Sequence, residues 1–396
     1  MTQTDILIIG GGAAGLSAAL AAAKAAPKAR VTVAERLPRT GKKLLATGNG
    51  RCNIMNTLAA PRMYKGDAEF ISPALDAYKK NCEEFWASLG LTLRLEDEGR
   101  VYPECSQASA VLDVLRLGLQ KYGIDELTDT EIKSIKPGFV CGDIRARKVI
   151  VATGSLAGKG LGENSSFETL LKPLGHRITP VYPALTQLLV PEKCIAGLKG
   201  LRFKGSAALY EDDRLLRREE GEILFGDGAL SGIACMQLTL EAAGKKRLTA
   251  VLGVLGEDAE EMLFARRAAL KERPVSEFLT GAVNKRIALL ALKRAGFAGM
   301  DKRVYELTGG EIKRLASELS HWKLPVLGTG DFKNAQVMLG GADTRDFDRL
   351  TLESKLVKGL YACGEALDVT GPCGGYNLEW AWAGGMLAGE KAGQSL

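Results

Sequence analysis

Histidine is almost missing from this chain: His176 and His321 are the only two among 396 residues. That scarcity argues against a paired-histidine acid–base device, and His176, inside LKPLGHRI, reads as structural. The eight cysteines, at 52, 82, 105, 141, 194, 235, 363 and 373, show no C-x-x-C and no zinc-type spacing. Neither a dithiol motif nor a metal centre is expected, and the thiols read as scattered and unbridged. Long apolar runs are lacking too. The nearest approach, ILIIGGGAAGLSAALAAAKAA, has no basic residue ahead of it and a triple glycine inside it. Neither a signal peptide nor a membrane span is expected, so the chain reads as cytoplasmic, with no membrane partner.

What remains, 46% hydrophobic and 25% charged, is the composition of a soluble globular protein of roughly two or three domains. The formal charge is +6, and residues 244–324 alone carry 16 Lys and Arg against 10 Asp and Glu. One reading is a set of helices with solvated basic faces. The other is a basic wall facing an anionic substrate, a nucleotide donor or RNA.

Glycine is plentiful, and it clusters. DILIIGGGAAGLSAALAAAKAA reads as an apolar strand (Ile6 to Ile9), a glycine turn and an alanine-rich helix. Gly10, Gly12 and Gly15 fit G-x-G-x-x-G, which serves a tight turn, close approach of pyrophosphate and close helix–strand packing. A second strand, RVTVAE, ends at Glu35, 20 residues after Gly15, where a carboxylate accepts hydrogen bonds from a ribose diol. Ala14 beside the turn and Arg36 beside the acid are counted with the nucleotide contacts. No second G-x-G-x-x-G follows, so a separate NAD(P)H domain is not expected.

The connection that follows, RLPRTGKKLLATGNGRCNIMN, is rich in glycine and basic residues and too long for an ordinary βα loop. It resembles the segment of glutathione-reductase-type flavoproteins that crosses the pyrophosphate and runs beside the flavin. That resemblance implies phosphate neutralisation by Lys42, Lys43 and Arg51, and hydrogen bonds from Thr47, Asn49 and Asn53 to flavin or ribityl oxygens. Cys52 falls where disulfide reductases keep a redox pair, but no second cysteine stands four or five residues away. Cys52 therefore reads as a small packing residue, with a catalytic part beside the flavin left open.

Further on, EIKSIKPGFVCGDIRARKVIVATGS reads as strand, turn and strand, closing on Thr153 and Gly154 as FAD enzymes do on returning to the nucleotide. The same resemblance sets the Ile132 backbone near the adenine. From about Pro183 short alternating strands suggest a small barrel or sheet, followed by helices broken at Pro274. KLVKGLYACGEALD then returns as a strand to Gly364 and Glu365, the acid placed for the ribityl hydroxyls. In GPCGGYNLEWAWAGG, Gly374 and Gly375 open the last helix so that its first N–H groups approach the flavin pyrimidine edge. Tyr376 and Asn377 join Cys52 as catalytic candidates near the ring.

The motifs GGGAAGLSAA, GKKLLATGNGRCN, SKLVKGLYACGEALD and GGYNLEWAWAGG resemble the flavoproteins related to the bile-acid-inducible flavoprotein BaiN. Members are described as NAD(P)/FAD-dependent or aminoacetone-oxidase-like oxidoreductases. The resemblance implies an α/β fold: a Rossmann-type FAD-binding domain (1–185 and 336–396) carrying an inserted β-barrel with a helical subdomain (186–335, helices about 256–321). Two departures bear on the substrate rather than on FAD. Met55 stands where the family usually has Thr, and LFGDGALSGIACMQLT lacks the usual histidine and proline. The expectation is an FAD-dependent oxidoreductase acting on a small organic substrate held between the two domains, an anionic one if the basic insert selects it, with NADH or NADPH as donor. A flavin enzyme acting on RNA and a non-enzymatic flavin-bound sensor are the alternatives.

Overall fold

Four consecutive aliphatic residues, Ile6 to Ile9, leave no polar face, so the strand containing them has to be covered on both sides. In the computed structural model, which describes residues 1–158, 160, 165–297 and 300–396, β1 (Thr2–Ile9) lies inside a parallel sheet. The chain turns into α1 (Ala13–Ala25) and returns as β2 (Val31–Ala34), with Ile9 opposite Ala34. A short antiparallel sheet follows from β3 (Met55–Asn56), β4 (Leu93–Leu95) and β5 (Arg100–Pro103), with α2 (Ala68–Ser88) running between the first two. Then come α3 (Ala108–Lys121), β6 (Asp125–Leu127), and the hairpin of β7 (Val140–Cys141) and β8 (Ile144–Val151). The last strand, Leu360–Ala362, completes the parallel order: last strand, β8, β1, β2, β6.

Contacts divide the molecule into two compact units, Met1–Pro183 with Phe332–Leu396, and Ala184–Asp331. In the first, the C-terminal helix Tyr376–Gln394 lies on α1. Trp380 and Trp382 are buried in the core, where their indole N–H groups donate to Gly364 O and Ile54 O at 3.2 and 3.1 Å. They hold the helix in place.

The second unit is a seven-stranded antiparallel sheet with an open strand order, from Trp322–Pro325 at one edge to Gly328–Thr329 at the other. Among the described residues the helices Ala259–Ala269, Lys285–Arg294 and Gly309–Ser320 accompany it, along with the short helix Ile233–Leu238. The first two are separated by an extended Pro274. Many of its basic side chains are spoken for. Arg266 donates to the carbonyls of Phe278 and Thr280, Arg286 donates to Gly197 O, and Arg294 and Lys313 pair with Glu318 and Glu260. That use favours solvated, locally paired faces. Among the described residues, no helix is long and apolar enough to cross a membrane, and no cluster of His, Cys, Asp and Glu is placed to hold a metal.

Candidate functional site

The glycine turn separates into two kinds of position. At Gly10, whose φ is +109°, a β-carbon would stand 2.4 Å from Ala152 O; at Gly15 it would stand 1.8 Å from Gly10 O. These glycines are demanded by the protein itself. At Gly12, the N-cap of α1, a β-carbon would meet nothing within 4 Å. Bare backbone there leaves a cradle in front of the helix N-terminus, where an anion is favoured. Beside it, Glu35 accepts the Gly11 N–H at 2.8 Å through one oxygen and the Leu37 N–H at 2.9 Å through the other. The carboxylate braces the turn and keeps lone pairs for a diol. A cleft opens here, and Gly10, Gly12, Glu35, Arg36, Lys43, Ile132, Thr153 and Gly154 all line it.

The parallel pairing of β8 with the last strand sets Ala362 opposite Val151, so the chain segments that follow them emerge side by side. Glu365 there accepts from Ser155 Oγ at 2.9 Å and from Lys43 Nζ at 3.2 Å. Lys43 is thus already paired with an acid. Gly364, at φ +67°, keeps clear of Ala14, whose β-carbon would lie 2.7 Å from a β-carbon at 364.

A second group gathers where the C-terminal helix begins. Gly374 and Gly375 have φ of +113° and +102°, and a β-carbon at Gly375 would lie 2.6 Å from Met55 O and 2.8 Å from Asn53 Oδ1. Asn53 Oδ1 is buried without a hydrogen-bond partner. An orphaned acceptor at this place fits a ring N–H of a bound heterocycle. Asn377 has no such freedom: its side chain accepts the Gly371 N–H at 2.8 Å and donates to the carbonyls of Gly371 and Pro372. It pins the glycine loop. Tyr376 is buried, with its carbonyl accepting Tyr64 OH at 3.0 Å and the two rings edge to face.

The connection between the groups departs from the sequence reading at Arg51 and Thr47. Arg51 pairs with Glu96 and lies 4.1 Å over the Tyr102 ring, so its charge is met by the protein. Thr47 Oγ donates to Leu44 O at 2.6 Å, closing its own turn. Cys52 is wholly buried and burial pushes its thiol up to about 12, which disfavours the thiolate and agrees with a packing residue. Asn49 is exposed on a left-handed backbone between Gly48 and Gly50.

Three residues of the site escaped the sequence reading. Ser155 completes the Glu365 contact, and its only signal was its place after the ATG turn. Asn56 donates to Gly374 O at 2.9 Å, linking β3 to the glycine pair. Glu379, in the first turns of the C-terminal helix, is fully buried, and burial pushes its carboxyl up to about 7. Nothing in its immediate sequence marked it as buried.

Together the open cradle at Gly12, the braced Glu35 and the orphaned Asn53 Oδ1 could hold a dinucleotide ending in a hydrogen-bonding ring, as FAD does.

Comparison with known proteins agrees with this arrangement. The chain is 36% identical to the 3-dehydro-bile acid delta(4,6)-reductase of Clostridium scindens, over 98% of each chain. It is 27% identical to the ribosomal RNA dihydrouridine synthase of Haemophilus influenzae, over 96% of each. Among solved structures, the 3-ketosteroid delta1-dehydrogenase of Sterolibacterium denitrificans shares the fold at a TM-score of 0.53, with 12% identity and complete coverage of both chains. The family model described as the HI0933-like protein Rossmann domain matches residues 4–391, and the chain belongs to that family.

Proposed function

We propose that this protein is an FAD-dependent oxidoreductase that transfers hydride to or from a carbon–carbon bond beside a carbonyl in a small organic substrate, with NADH or NADPH as donor. The observation that carries the reading is the Gly12 cradle with Glu35 beside it, in a chain aligned over 98% of its length with a named reductase. FAD supplies a ring that accepts and gives hydride. The protein supplies position. The turn at Gly10–Gly12 and the N-terminus of α1 would receive the pyrophosphate, and Glu35 the adenosine ribose. Glu365, held by Ser155 and Lys43, would receive the ribityl hydroxyls, and Asn53 with the Gly374–Gly375 turn would receive the pyrimidine edge. The name of the Clostridium scindens relative, a delta(4,6)-reductase of a 3-dehydro compound, supports an unsaturated ketone as substrate class. With no second dinucleotide fingerprint in the sequence, the donor would visit the same cleft as the substrate. The eight cysteines are all unbridged, which fits a reducing, cytoplasmic setting.

The test is to denature the purified protein and identify the flavin released, then to mix the native protein with NADH or NADPH and unsaturated ketones without oxygen. FAD release and substrate-dependent reoxidation are expected. FMN, or no flavin even after reconstitution, would overturn the reading.

A second reading, reduction of a uridine in RNA, is favoured by the 27% relatives named as ribosomal RNA dihydrouridine synthases. Lys285, Arg286 and Lys293 are exposed on one helix, and residues 281–300 contain no acid. Salt-sensitive retention of ribosomal RNA, lost when these three are neutralised, would select it.

A further inference from the structure

The C-terminal helix encloses one carboxylate that the reading above leaves unused. Glu379 Oε2 accepts the Asn56 N–H at 3.0 Å, while its Oε1 is buried with no hydrogen-bond partner. Lys79 of α2 holds its Nζ 3.9 Å from that oxygen, but already donates to the carbonyls of Ala59 and Thr57. Asn56 links this acid to the ligand end of the helix. Its Nδ2 donates to Gly374 O, and the carbonyl of the preceding Met55 sits directly against Gly375. Glu379, Asn56 and the Gly374–Gly375 turn form one connected bracket.

We propose that Glu379 is a positioning residue for the flavin edge: it holds Asn56, Asn56 holds the Gly374–Gly375 turn, and a negative charge on Glu379 weakens the pull of the helix N-terminus on that edge. The proposal rests on the FAD reading given above.

A carboxylate near a helix N-terminus is ordinarily favoured by the N–H dipoles. Here burial outweighs the Asn56 N–H and Lys79 together and pushes the carboxyl up to about 7, so it is neutral on the acid side of that value. The titratable groups that face it are Tyr64, Tyr78, Cys82 and Tyr376, all pushed up by burial, and the Lys79 ammonium. The phenols and the thiol stay neutral around pH 7, so the change of charge falls on Glu379. The Asn56 N–H bond itself favours the charged carboxylate, so ionisation leaves that bond in place and acts through its charge. The added negative charge offsets the helix N-terminus, which weakens its attraction for an electron-rich ring edge.

The test is FAD affinity of the apoprotein, followed by flavin fluorescence on both sides of the Glu379 value, from about pH 6 to about pH 9. For the wild type, Kd should rise about tenfold across that span. Glu379→Gln keeps an acceptor for the Asn56 N–H and cannot ionise, so its affinity should stay flat, near the wild-type value at the acid end. Glu379→Ala should bind weakly and equally at every pH. Thermal melts of the three apoproteins identify a variant that fails to fold, in which case wild type against Glu379→Gln decides. Parallel pH profiles for those two would overturn the role of Glu379 while leaving the flavin reading intact. No FAD binding by any protein, wild type included, would overturn the flavin reading itself.

Discussion

Lys43 and Glu365 lie 322 positions apart in the chain and meet at 3.2 Å, with Ser155 Oγ donating to the same carboxylate oxygen at 2.9 Å. The two ends of the chain are thereby tied at the middle of the proposed FAD site. Glu365→Ala removes the ribityl acceptor and should weaken FAD about tenfold, the effect of one or two hydrogen bonds. Lys43→Ala should cost less, since Ser155 still orients the acid. The two side chains are about a quarter exposed, so their coupling in a double-mutant cycle should be small, about 0.5–1 kcal/mol. Additive losses in flavin titrations would show that the pair does not act together.

The glycine turn predicts a separation of folding from binding. Gly12→Ala points its methyl into open space and should leave the melting temperature within a degree or two while lowering FAD affinity. Gly12→Trp should abolish binding without unfolding the chain. At Gly15 the same methyl would overlap the Gly10 carbonyl, so Gly15→Ala should lose stability outright, by more than about 3 kcal/mol. Glu35→Ala should fall between, because it releases both the Gly11 and Leu37 N–H groups as well as the ribose. Thermal melts paired with flavin titrations of the four variants check the ordering.

The fold and the cleft at the glycine turn were legible because local rules govern them. An aliphatic strand, a glycine turn and an acid at the next strand end constrain one another over 35 residues, and Gly10, Gly12 and Glu35 do line one cleft. The surroundings of the Gly374–Gly375 turn were less legible because distant elements decide what each side chain meets. Arg51 looked like a phosphate ligand until the turn after β4 brought Glu96 to it. Asn377 looked like a ring contact, but its own loop takes up the amide. Glu379 carried no local sign of its burial, which depends on α2 and β3 closing over the C-terminal helix.

Reactivity should separate the cysteines. Cys52, Cys235 and Cys363 are buried, with thiols pushed up to about 12, whereas Cys105 is exposed. Iodoacetamide at neutral pH should label Cys105 first and leave those three unmodified until denaturant is added, as read by peptide mass spectrometry. Rapid labelling of Cys52 in the folded protein would return it to the list of catalytic groups.

Stability should carry the sign of Glu379. Its folded-state value, about 7, lies above that of an unfolded glutamate, so the folded protein holds a proton that the unfolded chain has lost. The contribution is fully present below about pH 4.5, declines as pH rises toward 7, and is gone above it. Glu379→Gln removes that decline. Above pH 7 the variant should be more stable than wild type by about 2–3 kcal/mol, and the difference should shrink on acidification. Urea melts of the apoproteins at several pH values measure it, and a constant difference would assign the gain to packing.

The C-terminal helix meets α1 through glycines four residues apart. A β-carbon at Gly385 would stand 2.3 Å from Ala14 O, one at Gly389 2.1 Å from Ala18 O, and one at Gly393 2.9 Å from Ala22 O. The backbones are therefore as close as they can come, and α1 carries the glycine turn at its N-terminus. Gly389→Ala should force the helices apart and cost about 2–3 kcal/mol despite the better helix propensity of alanine. Gly384 supplies the control on the same helix, because a β-carbon there would find its nearest neighbour at 3.5 Å. Gly384→Ala should be neutral or slightly stabilising. If separation of the helices also displaces the turn, Gly389→Ala should bind FAD more weakly at temperatures well below its melting point, while Gly384→Ala binds as wild type does. Equal stability and equal affinity in the two variants would show that the helix contact neither limits the fold nor sets the position of the cradle.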